Sequence, residues 1–299
     1  MADLTQSYAV APVTRHRAPF RWGAVLNHAI LIAGALFMMA PMVVFIQMST
    51  MPDAHVMQHG PGLEIGSQFW PNLQKALFES LSFSGETTGL KMFRNSMILG
   101  LGFAIGKIII AMMAAYAIVY FRLRFATLAF WLIFTTLLLP LEVRIVPSYE
   151  ITQKLGLLNT WTGLIVPLIA SATATFFFRQ FFMSVPEELV EAAKIDGAGP
   201  AKFFIDILVP LSQTMIAAMF IIMFVYGWNQ YLWPTMVSTE EGKFTLVQGI
   251  KQISQGLEGT HIPEYGRSNL LAILAVLPPV AVVIFFQRWF VKGLTESDK

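Results

Sequence analysis

The sequence contains no cysteine, and this absence removes a first group of sites. A chain without thiols forms neither disulfides nor thiolate metal sites. Histidine is also scarce, with 5 residues in the whole chain. His55 and His59 have the i, i+4 spacing that holds a metal on a helix, but no third ligand follows nearby. We therefore expect no metal site.

Charged residues are scarce as well. Of the 299 residues, 13% are charged and 56% are hydrophobic, and the mean hydropathy is +0.62. A soluble domain carries more charge than this on its surface. The composition therefore excludes a soluble protein and predicts a membrane protein, whose partners include lipid and no nucleic acid. The formal net charge of +2 carries little information as a total.

A complete nucleotide-binding loop is missing. The stretch GFAIGKIII superficially resembles a phosphate loop, but only three residues separate Gly102 from Gly106. Lys107 is followed by Ile108, where a phosphate loop has Ser or Thr. We therefore expect no nucleotide site and no cofactor in this chain. We also expect no catalytic residue, because the sequence shows no nucleophile with a matching base and no clustered polar catalytic set. The two glycines instead begin a stripe of small residues along which another helix can pack closely.

Six apolar stretches are each long enough to cross a bilayer, which takes about 20 residues per helix. They lie at about 24–48, 94–120, 126–148, 160–183, 207–235 and 269–291. We predict an all-α polytopic membrane protein with six transmembrane helices. A cytoplasmic N-terminal segment, 1–23, precedes a transmembrane domain, 24–299, in which outer loops at 49–93 and 236–268 join the helices on one side.

The short loop that contains Arg122 and Arg124 predicts the orientation, because Lys and Arg in short loops stay on the cytoplasmic side. An even number of spans then places both termini in the cytoplasm. A charged segment at 186–206 falls on the same side. The first apolar run is too long for a signal-peptide core and predicts an uncleaved signal anchor.

Charged residues within the spans are the candidates for a transport pathway, because charge is expensive in lipid. Lys107 falls near the middle of the second span. It either reaches a carboxylate or the interface, or it faces the pathway. In LPLEVRIVP, Pro140 and Pro147 flank Glu142 and Arg144, which predicts a broken helix end that lines water or protein.

Amides and aromatic residues occur together near the end of the fifth span. Asn229 and Gln230 are adjacent, and two neighbouring amides within a span cannot both face lipid cheaply. We expect one of them to face the pathway or a neighbouring helix. Trp233 is interpreted as part of an interfacial aromatic belt.

The charged segment predicts a helical hairpin on the membrane surface. Pro186 suits a helix start, and Gly197, Gly199 and Pro200 supply a turn before a second helix. Its carboxylates outnumber its lysines, which is the wrong balance for binding anionic lipid headgroups. We therefore expect the hairpin to dock onto a protein.

The hairpin resembles the EAA motif of the membrane subunits of binding-protein-dependent ABC importers. The residues that match the motif, at the family's spacing, are Glu191, Ala192, Ala193, Asp196, Gly197, Ala198 and Pro210. The resemblance implies that the hairpin is a coupling helix that docks into a groove of a separate ATPase subunit. It implies that Glu191 is a polar anchor, that Ala192 and Ala193 permit close approach, and that ATP and Mg are bound by the partner.

A narrower resemblance, over LPLEVRIVPSYE, EELVEAAKIDGAGP and FVYGWNQYLWP among other stretches, is to permeases of sn-glycerol-3-phosphate importers. It implies that the substrate is sn-glycerol-3-phosphate or a related glycerophosphodiester. It also implies a second, non-identical permease subunit, two ATPase subunits, a periplasmic solute-binding protein and a location in the bacterial inner membrane. A neutral sugar remains an alternative substrate. An ion-coupled secondary transporter remains an alternative mechanism.

Overall fold

The computed structural model describes residues 22–62, 64–80, 87–121, 123–136, 139–254 and 264–295. Within these ranges the regular structure is helical, apart from an isolated antiparallel bridge between Ser80 and Thr88. The predicted all-α class is therefore confirmed. Arg122, which contributed to the predicted orientation, lies outside the described residues, as do residues 1–21 and part of the loop at 236–268.

The helices of the described residues differ widely in length, from single turns to long apolar rods. They are α1 (Trp22–Ser49), α2 (Asp53–His59), α3 (Phe69–Phe78), α4 (Gly89–Tyr120), α5 (Ala126–Thr135), α6 (Leu141–Lys154), α7 (Trp161–Ile165), α8 (Ala172–Met183), α9 (Glu187–Ile195), α10 (Pro200–Lys202), α11 (Val209–Leu211), α12 (Gln213–Trp228), α13 (Leu232–Val237), α14 (Leu246–Ser254) and α15 (Tyr265–Thr295). Short 3-10 turns at Val166–Leu168 and Glu241–Lys243 and a π-helical stretch at Phe203–Leu208 complete the series.

Three of these helices, α1, α4 and α15, are long and apolar enough to cross a membrane unbroken. Two bent pairs of helices bring the number to five if each pair is one span: Trp161–Leu168 with Ala172–Met183, bent by 52°, and Pro200–Leu211 with Gln213–Trp228, bent by 76°. The remaining predicted span, 126–148, is not one helix, because α5 ends at Thr135 and α6 begins only at Leu141. Pro140 precedes α6 in an extended conformation, so the break falls beside a proline, as the sequence predicts.

The chain divides into two compact units, Met1–Val43 and Val44–Lys299. The described part of the first unit is the apolar beginning of α1. Its large side chains, such as Leu31, Phe37 and Met38, are exposed. In a soluble protein such a surface would be unstable in water, whereas in a bilayer it faces hydrocarbon.

Helix α4 forms the centre of the second unit and packs against α12 and α8. Gly100 of α4 and Gly227 of α12 allow these two helices to approach each other closely. A Cβ atom at Gly227 would lie 3.1 Å from the Cα of Gly100 and 2.8 Å from the Cβ of Phe103. The predicted small-residue stripe is also confirmed: a Cβ at Gly102 or at Gly106 would lie 2.5 or 2.4 Å from an isoleucine side chain of residues 165–169.

Trp233 lies in the core and not in an interfacial belt. Its side chain is 0% exposed, and its indole Nε1 donates a hydrogen bond of 3.0 Å to the carbonyl of Leu164. The interfacial prediction was therefore wrong. A tryptophan can be buried once its N–H has a partner, and here a residue far away in the sequence supplies it.

The segment between α1 and α4 is fixed to the start of α15 by a charged cluster. Glu264 forms ion pairs with Lys75, at 3.2 Å, and with Arg267, at 3.1 Å. Arg267 is buried and also donates to the carbonyls of Glu79 and Ser80. Burial alone would raise the pKa of the Glu264 carboxyl, but the bonds from Arg267 and Lys75 outweigh it and leave the pKa below its ordinary value.

Candidate functional site

The charged hairpin is a pair of short helices joined at a glycine in the left-handed conformation. Helix α9 ends at Ile195, and Gly197 has φ +73°. The N–H of Ala198 donates to the carbonyl of Ala193 at 2.9 Å. The N–H of Gly197 donates to the carbonyl of Lys194 at 3.1 Å. This pair of bonds is a Schellman motif, which requires a residue without steric cost at positive φ. Gly197 therefore sets the angle between the two arms.

The outer surface of the hairpin is acidic with two apolar positions. Its exposed members include the carboxylates of Glu187, Glu188, Glu191 and Asp196 and the side chain of Ala192. Leu189 is also exposed, and Ile195, at the end of α9, is 86% exposed. A surface that combines carboxylates with a bare isoleucine matches a protein partner with basic and apolar groups better than it matches an anionic lipid surface.

Ala193 has a different place from the one that the motif suggests. It is 4% exposed and belongs to the same buried cluster as Phe203 of the second arm. Together with residues at the end of α4, it lines a cavity inside the hairpin. Of the two adjacent alanines, only Ala192 is available to a partner. Ala193 instead permits close approach within this chain, because a helix turns its neighbouring positions by about 100° from each other.

Two tyrosines on α4 hold the hairpin in place. The hydroxyl of Tyr116 donates to the carbonyl of Pro200 at 2.9 Å, and that of Tyr120 donates to the carbonyl of Phe182 at 3.1 Å. The ring of Tyr116 also packs against Phe204, with centroids 4.9 Å apart. Tyr116 thus attaches the start of the second arm to α4, and Tyr120 attaches the end of α8, just before the hairpin begins. The i, i+4 spacing of the tyrosines was visible in the sequence, but their partners were not.

Pro210, the last residue of the EAA-like set, lies where the second arm bends into the membrane span. A proline at this position has no N–H for the carbonyl of Asp206, four residues earlier. The helix is widened to a π-helix over Phe203–Leu208, directly before it. The carbonyl of Leu208 accepts from both the N–H and the hydroxyl of Ser212, at 3.0 and 2.6 Å. The bend of 76° follows immediately.

A cavity of about 480 Å³ lies between α4, α5, α6, α8 and α12. It brings together two of the charged residues singled out in the sequence, Lys107 from α4 and Arg144 from α6. Alanines, threonines, Ser171 and Tyr226 form much of the remaining wall. Among the described lining residues there is no Asp or Glu. The cavity is therefore cationic.

Lys107 is bound to backbone that lies outside the α-helices. It is 4% exposed, and its Nζ donates to the carbonyls of Leu168 and Ala170, in the break between α7 and α8. The same ammonium lies 5.2 Å from the ring centroid of Phe103 and 5.0 Å from that of Tyr226. Carbonyl oxygens and ring faces stabilise a buried cation. The buried charge of Lys107 is therefore stabilised by backbone carbonyls at the break between α7 and α8. Among the described residues, no carboxylate pairs with it.

The other three pathway candidates do not line the cavity. Glu142 is exposed on α6, two residues before Arg144. Gln230 is buried and donates from Nε2 to the carbonyl of Tyr226 at 3.3 Å, whereas Asn229 is exposed. The two amides therefore differ, as expected, but the buried one turns back to the end of α12 and does not line the cavity.

A family model described as the inner membrane component of binding-protein-dependent transport systems matches residues 107–296. The chain belongs to this family. The matched region of the permease begins at Lys107 and includes both the cavity lining from α8 and the hairpin. The permease is a multi-pass inner-membrane component of a transport system.

Curated relatives extend this similarity beyond the matched region. The permease is 45% identical over 276 residues to the sn-glycerol-3-phosphate transport system permease protein UgpE of Yersinia enterocolitica. The matched residues cover 92% of this chain and 97% of the relative. The proteins of the same name from Pectobacterium atrosepticum and Brucella melitensis are 44% and 42% identical over 275 residues, with the same coverage.

A solved structure has the same fold. It is that of a bacterial ABC transporter involved in the import of the acidic polysaccharide alginate, and it matches the permease with a TM-score of 0.75 and 19% identity. The match covers 92% of this chain and 99% of the solved chain. Identity this low carries information on the fold alone.

Proposed function

We propose that this permease forms half of the translocation pathway of an ATP-driven importer for sn-glycerol-3-phosphate or related glycerophosphodiesters. The observation that carries the proposal is the 42–45% identity, over 92% of the chain, to permeases that are named for sn-glycerol-3-phosphate transport. The cationic cavity supports it, because an organophosphate needs positive charge along its path.

The remaining subunits follow from the same proposal. A second, non-identical permease completes the pathway, a periplasmic protein delivers the solute, and two ATPase subunits bind ATP and Mg. This chain itself holds no cofactor. Both termini and the hairpin lie in the cytoplasm, because only there can the hairpin meet the ATPases.

In this scheme the hairpin transmits the motion of the ATPases to the membrane helices. Glu191 meets a basic group of the ATPase groove, Ala192 permits close approach, and Ile195 enters an apolar part of the groove. The exposure of these side chains supports this arrangement. Helices that carry the cavity then alternate between states open to either side, driven by the different affinity of nucleotide for the two states.

The test is transport by the complete importer. The chain is co-purified with its associated subunits, which are identified, and the complex is reconstituted in proteoliposomes with its binding protein. We expect ATP-dependent accumulation of sn-glycerol-3-phosphate. Accumulation of a neutral sugar with none of the organophosphate would contradict the substrate assignment. Gradient-driven uptake by this chain without ATPase subunits would contradict the mechanism and favour a secondary transporter.

A further inference from the structure

Two cations share one cavity with no described carboxylate to neutralise them. Lys107, from α4, and Arg144, from α6, both line it. Neither side chain takes part in an ion pair with another described residue. Like charges that share one cavity repel each other, and an anion placed between them relieves the repulsion.

The two cations have donors left for a ligand. An ammonium has three N–H donors, and Lys107 uses two of them on the carbonyls of Leu168 and Ala170. These bonds fix the position of the ammonium on the wall. Arg144 is exposed to the cavity and forms no hydrogen bond with the described residues, so its planar fork of donors is free to bind two oxygens at once.

The start of α8 adds backbone donors to the same wall. Ser171 caps the helix by accepting from the N–H of Ala174 at 3.3 Å. Ala172 and Thr173 also line the cavity, and their N–H groups, in the first turn of α8, have no partner within the helix. The helix N-terminus carries a partial positive charge, and broken spans in transporters direct such ends at anionic solutes. Here the break of 52° between α7 and α8 places that end beside the two cations.

We propose that this cavity binds the phosphate group of a phosphate monoester between Arg144 and Lys107, and that it prefers the monoester to a phosphodiester or a neutral sugar. This proposal rests on the proposed function and refines its substrate class. Above its second pKa of about 6, a phosphate monoester carries nearly two charges and has three terminal oxygens. A diester has one charge and two such oxygens, which leaves one of the cations unmatched.

Binding to the purified importer in nanodiscs, without the solute-binding protein, tests the preference. Radiolabelled sn-glycerol-3-phosphate is displaced by glycerophosphocholine or by glycerol. We expect the wild type to bind the monoester about tenfold more tightly than the diester, the difference expected from one charge-assisted hydrogen bond. The preference should shrink at about pH 5, where the monoester has lost its second charge.

Variants assign the preference to the two residues. Arg144→Gln and Lys107→Gln should each weaken monoester binding about tenfold and bring it close to diester binding. Arg144→Lys keeps the charge and should retain part of the preference, which also covers the case in which Arg144→Gln fails to fold. Arg94→Gln is the matched control, because Arg94 is an exposed arginine of α4 outside the cavity lining, and it should bind as the wild type does.

The two proposals fail in different ways. Equal wild-type affinity for monoester and diester, or unchanged binding by folded Arg144→Gln and Lys107→Gln, would overturn the phosphate site even if the importer transports sn-glycerol-3-phosphate. Transport of a neutral sugar alone would overturn the proposed function, whatever the binding experiment gives.

Discussion

The hydroxyl of Tyr116 donates a hydrogen bond of 2.9 Å to the carbonyl of Pro200, which joins positions that lie 84 residues apart. Pro200 begins the second arm of the hairpin, and Tyr116 lies one turn before the end of α4. The same helix carries Lys107, on the wall of the cationic cavity. Helix α4 thus connects the hairpin to the cavity through a single rigid element.

Removing the Tyr116 hydroxyl should weaken this connection without unfolding the protein. The Tyr116→Phe variant keeps the ring that packs against Phe204 and loses one hydrogen bond, worth about 0.5–1.5 kcal/mol. We expect less solute to be transported per ATP hydrolysed, because a hairpin that moves with the ATPase is then less tightly attached to α4. The measurement is the ratio of uptake to ATP hydrolysis in the reconstituted importer.

Tyr149→Phe is the control for that experiment. The Tyr149 hydroxyl forms no hydrogen bond with the described residues, and the residue lies on α6 away from the hairpin. Its ratio should equal that of the wild type. An unchanged ratio for folded Tyr116→Phe would mean that the bond to Pro200 has no part in coupling.

Gly197 should not tolerate a side chain, although there is space for one. A Cβ at Gly197 would meet nothing within 4 Å, so the cost of substitution comes from its φ of +73°. We expect Gly197→Ala to cost about 1–2 kcal/mol and to reduce uptake relative to ATP hydrolysis, and Gly197→Val to do so more strongly. Uptake and solute-stimulated ATPase are measured together.

The adjacent turn glycine provides a matched comparison. Gly199 has the same open space but a φ of −69°, which any residue adopts. The Gly199→Ala importer should therefore have the same ratio of uptake to ATP hydrolysis as the wild type. Equal behaviour of Gly197→Ala and Gly199→Ala would show that the left-handed turn does not determine the hairpin angle.

Gly227→Ala should destabilise the packing of α12 on α4. Its Cβ would lie 2.8 Å from the Cβ of Phe103, an atom fixed to the backbone that cannot move aside. Overpacking of this kind costs about 1–3 kcal/mol. The expected result is a lower midpoint of thermal denaturation for the purified importer in detergent.

Gly34 on α1 is the control for this substitution, because a Cβ there would meet nothing within 4 Å. Gly34→Ala adds the same methyl group to a helical glycine and should leave the midpoint unchanged or slightly raised. A Gly227→Ala importer as stable as the wild type would contradict the close approach of the two helices.

The cluster around Glu264 should make stability depend on pH on the acid side. The pKa of this carboxyl is lower in the folded protein than its ordinary value of 4.5. The carboxylate of Glu264 therefore contributes to the free energy of unfolding above that pH, and the contribution is lost as the pH falls through the folded pKa. We expect Glu264→Gln to lower the denaturation midpoint at neutral pH and to reduce the difference between the midpoints at neutral and acid pH.

Glu240→Gln is the comparison for this effect. Glu240 pairs with Lys243 at 2.9 Å but is mostly exposed, and surface pairs of this kind contribute little. The midpoint of Glu240→Gln should follow that of the wild type at every pH. Identical pH profiles for Glu264→Gln and the wild type would show that the buried cluster does not cause the pH dependence of stability.

Local patterns in the sequence predicted much of the fold and, of the candidate site, the hairpin. Hydropathy located the apolar spans, glycine and proline located the hairpin, and Pro140 marked the break before α6. Continuity was harder to predict than position, because average hydropathy does not distinguish an unbroken helix from two helices with a bend between them. The sequence placed one span with a broken end at 126–148, whereas the structure has two separate helices there, α5 and α6.

Contacts between distant residues could not be read from the sequence. Trp233 has the composition and position of an interfacial residue, yet the carbonyl of Leu164 allows it to be buried. Ala193 resembles Ala192 in every local respect, but only Ala193 is buried, in a cluster with Phe203 of the second arm. In each case the deciding neighbour comes from another helix.

By itself the sequence determined that this protein crosses a membrane and presents an acidic hairpin outside it, because apolar runs, turn glycines and charge balance act locally along the chain. Only the tertiary structure decided that Lys107 is held by carbonyls of a broken helix and shares a cavity with Arg144, and that two tyrosines attach the hairpin to α4. Those relationships depend on how separate helices pack, and packing joins residues that no local pattern relates.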